Sequence, residues 1–353
     1  MASKTLAVRY RPTSWEDVTE QSSITVILKE QLATDSIKNA YLFTGPAGTG
    51  KTTCARIFAN DINKGRGNPI EMDAASNSGV EDVRNIIQQA QTKSLDSEYK
   101  CFIIDECHSI SNTGWQAFLK LIEEPPAKSI FIFCTTDPQK IPKTILSRVQ
   151  RYDFQRISQQ GIVDRLKTIL YQELNIEDGV DFLTKLPIEY NSALEYIAKI
   201  ADGGMRDAIS LMDKALAYNS DLTLENVVTA LGTVDYDVMF NITDTVLDND
   251  KLKCLTLIEE LYASGKEMKQ FLKQYTQFIL DVVKLGLDCG WKYVSIPRLE
   301  TYETRISHLN DTQYIVLDRL LKCLVQLNSS IKYSSMPKSD IQAALILLME
   351  DER

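Results

Sequence analysis

GPAGTGKT, residues Gly45 to Thr52, is the stretch that decides the fold of this chain. It follows the apolar run AYLFT (Ala40–Thr44) and opens a segment of helical spacing, Thr52–Asn60. Strand before and helix after is the setting of a phosphate-binding loop; without that setting the same residues would read as a glycine-rich turn. Gly45, Gly48 and Gly50 let the backbone wrap an anion and turn its N–H groups inward. The helix start adds positive partial charge. Lys51 is placed to reach β- and γ-phosphates and Thr52 to put a hydroxyl on Mg²⁺. The nucleotide-contacting set is therefore Gly45, Gly48, Thr49, Gly50, Lys51, Thr52 and Thr53.

Outward from this loop, short apolar runs alternate with helical stretches. Strands are predicted at Ala40–Thr44, Pro69–Met72, Lys100–Ile104, Ser129–Thr135 and Arg151–Phe154, with a helix over Val80–Gln91. Runs such as CFII and IFIF are apolar at every position, as a strand buried on both faces requires. The alternation predicts an α/β domain with a parallel sheet between helical layers. After Arg156 the strands stop. Apolar residues recur at helical spacing over Ser158–Glu173, and helices are predicted at Ala193–Ala201 and Met205–Tyr218, split by Gly203-Gly204. Tyr314, Leu317, Leu320, Leu321, Leu324 and Leu327 form a later stripe, and Ser339 with Gln342 reads as a capping box opening the last helix. Three parts are expected: a nucleotide-binding domain over 1–156, a small helical domain over 157–232, and a second helical domain over 233–353.

A second chemical signal is CFIIDE, Cys101–Glu106, a buried strand ending in two carboxylates. Behind a phosphate loop these read as a magnesium-organising Asp105 and a water-polarising Glu106. DECH (Asp105–His108) also has the form of a helicase box, but that reading needs a second motor domain and the remainder is helical. The strand SIFIFCT ends at Thr135-Thr136, where a hydroxyl between Asp105 and the γ-phosphate would report its presence. Arg148 stands before the last strand, one strand from the acids, and Arg206 opens a helix after two glycines, where it swings toward bound phosphate. The seven cysteines form no CxxC pair, and several sit inside apolar runs as reduced, hydrophobe-like thiols. With His108 and His308 as the whole histidine complement, no zinc site is expected. Net charge is −9, which speaks mildly against a free-standing nucleic-acid binder but leaves room for a local basic stripe or a ring of subunits. No apolar run reaches bilayer length and MASKTLAVRYRP lacks a signal-peptide core, so a cytoplasmic, non-membrane location is expected.

Together the blocks RYRPTSWEDV (Arg9–Val18), AYLFTGPAGTGKTT, MDAASNSGVEDVR (Met72–Arg84), IIDECHSIS, FLKLIEEPP (Phe118–Pro126), TTDPQKIPKTILSR (Thr135–Arg148) and GGMRDAIS resemble the clamp-loader clade of AAA+ ATPases, most closely the bacterial DNA polymerase III gamma/tau type. The resemblance is dense from Arg9 to about Asp213 and rests on helical character beyond. It implies an AAA+ fold with a helical lid and an all-α collar. It implies ATP and Mg²⁺ as ligands and a ring, pentameric in the family, that opens a sliding clamp and closes it around primer-template DNA. Arg11, Pro12 and Val18 match the segment that packs on adenine. Lys51, Thr52, Asp105, Glu106 and Thr136 match the phosphate, magnesium, water and sensor positions. Arg148 matches the arginine finger that enters a neighbour's site, and Arg206 the second sensor. Asn77–Arg84 matches the part facing DNA, Trp115–Ile122 the helix touching the clamp, and Gln116 a position relaying DNA contact.

Two departures stand out. The family's four-cysteine zinc module is replaced here by DINKGRGNP, and its SRC motif reads SRV at Ser147–Val149. The tau-type extensions for helicase and polymerase are not expected within the stretch given, which resembles a compact version such as a bacteriophage would carry. Two other readings stay open. One is a different AAA+ DNA remodeller such as a branch-migration motor, which calls for a DNA-binding element in the C-terminal part. The other is a non-hydrolysing ring subunit, which would have lost the loop or the acids. Elemental analysis of the purified chain is expected to give no stoichiometric zinc, because Asp61–Pro69 offers neither cysteine nor histidine; one zinc per chain would overturn the reading of the shortened segment.

Overall fold

Strand residues alternate between two cores. Leu42, Phe102, Ile104, Phe131 and Phe133 face one, and Tyr41, Phe43, Cys101, Ile103, Ile130, Ile132 and Cys134 face the other. This two-sided burial is what the continuous apolar runs demand, since a parallel sheet needs a helical layer on each face. The computed structural model describes residues 4–77, 79–94, 96–173, 188–231 and 236–350. Among them, β1 (Ala40–Thr44), β2 (Ile70–Asp73), β3 (Lys100–Asp105), β4 (Ser129–Thr135) and β5 (Gln150–Asp153) form one parallel sheet in the order β2-β3-β4-β1-β5. The central strands β1 and β4 lie where the sequence put them. The edge strands β2 and β5 begin and end one residue away, because their exposed positions dilute the apolar signal.

Helices α1 (Leu6–Arg9), α2 (Ser22–Ala33), α3 (Lys51–Ile62), α4 (Val80–Gln91), α5 (Asn112–Glu123), α6 (Lys143–Leu146) and α7 (Gln159–Glu173) follow in chain order. Ile24 and Leu28 of α2 pack with Ile57, Phe58 and Ile62 of α3 on one face of the sheet. Val83 and Ile86 of α4 pack with Trp115, Phe118 and Leu121 of α5 on the other. There the register partners Phe102 and Phe131 stack at 5.1 Å, and Phe118 meets Phe133 edge-on at 5.4 Å. Burial pushes the Cys54 and Cys101 thiols up to about 12, so both serve as core hydrophobes.

The chain divides into two compact units, Met1–Leu186 with Ile197–Asp213, and Pro187–Tyr196 with Lys214–Arg353. The division runs through α8 (Ile188–Ile200) and α9 (Met205–Tyr218). The boundary expected at 232/233 lies outside the described residues. The second unit contains α10 (Leu224–Leu231), α11 (Tyr236–Leu247), α12 (Lys251–Ala263), α13 (Met268–Gly286), α14 (Glu300–Ser307), α15 (Asp311–Ser330) and α16 (Pro337–Glu350). Helix α13 is its axis, burying Phe271, Tyr275, Phe278 and Ile279 and packing against α15. The fully buried Asp281 carboxylate accepts from Ser295 N (2.6 Å), Gln277 Nε2 (2.8 Å) and Lys284 Nζ (3.2 Å), which satisfies a charge that burial would otherwise penalise. In the stripe of α15, Leu317, Leu320 and Leu324 are buried while Tyr314, Leu321 and Leu327 are half-buried. The last helix corrects the sequence reading. It starts at Pro337, so Ser339 lies inside it, and Gln342 donates to Glu259 (3.0 Å). Proline is preorganised for the first helical position and loses no needed donor there. A capping box does form one helix earlier, where Asn310 and Gln313 bond reciprocally at the start of α15.

At the end of β1, Gly45 runs between β4 and β5 with φ +146°, and a Cβ there would lie on the Phe154 carbonyl oxygen. Gly45→Ala is expected to cost on the order of 3 kcal/mol or more, from backbone strain plus the clash. Denaturant unfolding measures it, and a midpoint equal to the parent's would contradict the strain argument.

Candidate functional site

Because all five strands are parallel, the loops after β1, β3 and β4 emerge at one end of the sheet. The loop after β1 uses positive φ at Gly48 (+71°) and Gly50 (+99°) and passes directly into α3. Thr49 is buried and its hydroxyl donates to Pro46 O at 2.9 Å, which tightens the loop on itself. Lys51 is only 6% exposed, and its Nζ donates to Gly45 O (2.8 Å) and Pro46 O (2.7 Å). Burial lowers its pKa against the opposing pull of Glu106 and Asp105. An ammonium so placed gains from an incoming anion.

Thr52 Oγ1 donates to Asp105 Oδ2 at 2.8 Å, joining the first turn of α3 to the end of β3. A hydroxyl and a carboxylate side by side are hard oxygen donors, and magnesium takes one or two protein oxygens and completes its shell with water and phosphate. The pair therefore fits the ion that the sequence assigns to it. Among the described residues no group of three or more His, Cys, Asp or Glu side chains is arranged to hold a metal.

Glu106 has left-handed backbone, φ +45°, and its N–H donates to Asp105 Oδ1 at 3.0 Å. Its carboxylate oxygen Oε2 lies 3.1 Å from Thr136 Oγ1 and 3.2 Å from His108 Nδ1. The hydroxyl expected beside Asp105 thus meets the second acid of the pair. A cavity of about 630 Å³ runs along the phosphate loop, Asp105 and Glu106, a size suited to a nucleotide-like ligand, while Gly45 and Thr136 are not among its lining residues. Its lining includes Gly48, Thr49, Gly50, Lys51, Thr52, Thr53, Asp105 and Glu106 on the loop side, and Arg11, Pro12, Val18 and Arg206 beyond them. The phosphate loop packs closely on the segment before Arg206, since Met205 N donates to Gly48 O (3.0 Å) and a Cβ on Gly48 would crowd Gly204 at 3.1 Å. Arg206, next in line, is exposed at the cavity.

Two lining arginines escaped the sequence reading. Arg165 of α7 is 17% exposed in its side chain and reaches Asp17 Oδ1 and Tyr10 O, both at 3.4 Å. Arg56 of α3 pairs with Glu71 of β2 at 2.5 Å. A charged residue on an amphipathic helix reads as a solvated face unless the partner element is known.

Arg148 lies elsewhere. Register pairs Tyr41 with Gln150 and Thr44 with Asp153, so Arg148 precedes β5 beside the start of β1, at the end of the sheet opposite the phosphate loop. The sequence reading that sets Arg148 one strand from the acids is corrected: both β4 and β1 separate β5 from β3. The guanidinium is fixed by Glu123 at 2.7 Å, Thr144 O at 2.8 Å and Ser147 Oγ at 3.1 Å. Gln116 and Arg84 are exposed on α5 and α4, while Ser78 of the segment matched to DNA lies outside the described residues.

Comparison with known proteins relates the chain to clamp-loader subunits along nearly its whole length. Residues 68–158 match the family described as DNA polymerase III, delta subunit, residues 182–221 the clamp-loader ATPase lid domain, and residues 222–351 domain III of the gamma and tau subunits. The tau subunit of Bacillus subtilis is 33% identical over 97% of this chain and 62% of its own length. The gamma subunit of Buchnera aphidicola is 29% identical over 97% of both chains. This chain is a gamma/tau-like clamp-loader AAA+ protein. It spans less than two thirds of the tau relatives it matches, 62% of the Bacillus subtilis protein and 44% of that of Escherichia coli. Among solved structures, the Thermotoga maritima RuvB Holliday junction branch migration motor superposes with a TM-score of 0.51 at 17% identity, covering 67% of this chain and 79% of that one. That likeness concerns the AAA+ fold alone.

Lys51→Ala is expected to abolish nucleotide binding, whereas Glu106→Gln is expected to keep it within a few-fold and block hydrolysis. On the roles assigned from sequence, the lysine would hold ground-state phosphate and the glutamate would act once water attacks. A nucleotide titration in which both variants bind equally poorly would contradict the division of roles.

Proposed function

We propose that this chain binds ATP with Mg²⁺ and hydrolyses it as one subunit of a clamp-loader ring, using ATP binding to open a sliding clamp and hydrolysis to release it on primer-template DNA. The observation that carries the reading is the convergence of Lys51, the Thr52–Asp105 pair and Glu106 on one cavity, while Arg148 sits at the far end of the sheet. Loop N–H groups and Lys51 hold the phosphates. Thr52 and Asp105 hold magnesium, which when bound offsets charge developing between the β- and γ-phosphates. Glu106 orients and polarises the attacking water. Arg206 acts on its own chain's nucleotide, and Arg11, Pro12 and Val18 enclose the base. Residues 157–232 serve as lid and 233–353 as collar in this scheme. A place in the cytoplasm of a bacterium, or of a phage-infected one, suits relatives that are bacterial replication proteins.

Arg148 acts in trans. From Tyr41 to Thr44 the sheet already spans roughly 10 Å, so the finger stands well away from the phosphate loop of its own chain. Its partner Glu123 does not trap it, because an exposed ion pair of this kind is worth only about 0–1 kcal/mol. Fingers of this type contribute on the order of 10³–10⁵ in turnover. Arg148→Ala is expected to keep ATP affinity within a few-fold and to lose nearly all hydrolysis in the ring with clamp and primed DNA. Mixing Lys51→Ala with Arg148→Ala chains is expected to restore part of the activity, since some interfaces then join an intact loop to an intact finger. Co-assembled mixtures that stay inactive would sink the shared-site mechanism.

A further inference from the structure

Glutamate side chains carry three torsions, and that of Glu106 is 37% exposed, yet its carboxylate is tied at a single oxygen by two groups. Thr136 Oγ1 approaches Oε2 at 3.1 Å and His108 Nδ1 approaches the same oxygen at 3.2 Å. The histidine nitrogen also lies 3.1 Å from Thr135 Oγ1. An ionised carboxylate only accepts hydrogen bonds, so the nitrogen that faces it carries the proton. The surroundings agree. Thr135 is fully buried and its oxygen already accepts from Asp137 N at 3.0 Å, the role it would also take toward an Nδ1–H group. The imidazole is itself held on a short helical turn, Cys107–Ser109, in which Ser109 N donates to Glu106 O at 3.0 Å. The Nδ1–H group thus lies between two oxygen acceptors, Thr135 Oγ1 at 3.1 Å and Glu106 Oε2 at 3.2 Å, while Thr136 donates to Oε2 from the other side.

We propose that His108 is a positioning residue that, together with Thr136, pins Oε2 of Glu106 so that Oε1 is the oxygen offered to the attacking water. This rests on Glu106 being the water-polarising group of the proposed ATPase. The histidine never touches nucleotide in this scheme; it acts through the glutamate. An unpinned carboxylate spends most of its time in rotamers that do not meet the water, and general-base assistance of the order of 10²–10⁴ is forfeited in proportion.

The test uses the assembled ring with clamp and primed DNA. His108→Ala is expected to lower kcat on the order of ten- to a hundredfold while KM for ATP and the melting temperature stay near the parent's. His108→Asn sets an amide N–H where Nδ1 stands and is expected to recover most of the rate. His108→Gln, whose amide reaches past that point, is expected to remain slow. Parent-like turnover in His108→Ala, an increase in turnover, or Asn and Gln variants that are equally slow would each overturn the proposal. If the Ala variant does not fold, the Asn–Gln contrast decides alone. Glu106→Gln run alongside separates the two levels of the argument. Should it hydrolyse ATP at the parent rate, the assignment of Glu106 itself falls; should it be inactive while His108→Ala is parent-like, only the positioning role falls.

Discussion

Every strand of the sheet runs the same way, and most of what the first unit does depends on that constraint. A parallel sheet cannot leave one face to water, so α2 and α3 cover one side and α4 and α5 the other. Parallel strands also gather their C-terminal ends along a single edge. The phosphate loop after β1, the acids after β3 and the threonines after β4 become neighbours there without any long-range search. Tight aromatic packing under β4, with Phe131 and Phe133 meeting Phe102 and Phe118, keeps that edge in register.

At the edge itself the polar groups are organised as pairs. Lys51 is buried, but its ammonium has carbonyl partners. Asp105 divides its two oxygens between the Thr52 hydroxyl and the Glu106 N–H. Glu106 is oriented through one oxygen only. On the proposed function, these groups are fixed before substrate arrives, which is how a site lowers the reorganisation its chemistry requires.

The parts legible in the sequence were those with a strong periodic signal. Strands β1 and β4 are apolar at all or nearly all positions, and α4 and the helix opening at Met205 have clear helical spacing; all four sit where they were expected. The loop and the acid pair were legible because their spacing is tied to their chemistry. What stayed hidden depends on tertiary placement. Nothing in DECH announces that a left-handed residue at Glu106 lets His108 face the same carboxylate. Arg165 reads as one more solvated charge until Tyr10 and Asp17 are seen beside it. Ser339 and Gln342 have capping spacing, yet Pro337 begins the helix ahead of them.

The placement of Arg148 at the opposite end of the sheet from the phosphate loop makes each chain resemble a link with a socket at one end and a plug at the other. On the shared-site reading, links closed into a circle complete as many sockets as there are chains. An open arc completes one fewer, and its terminal chain holds nucleotide at a socket that no plug enters. A gap in such an arc would therefore be countable in solution, as the fraction of bound nucleotide that never turns over.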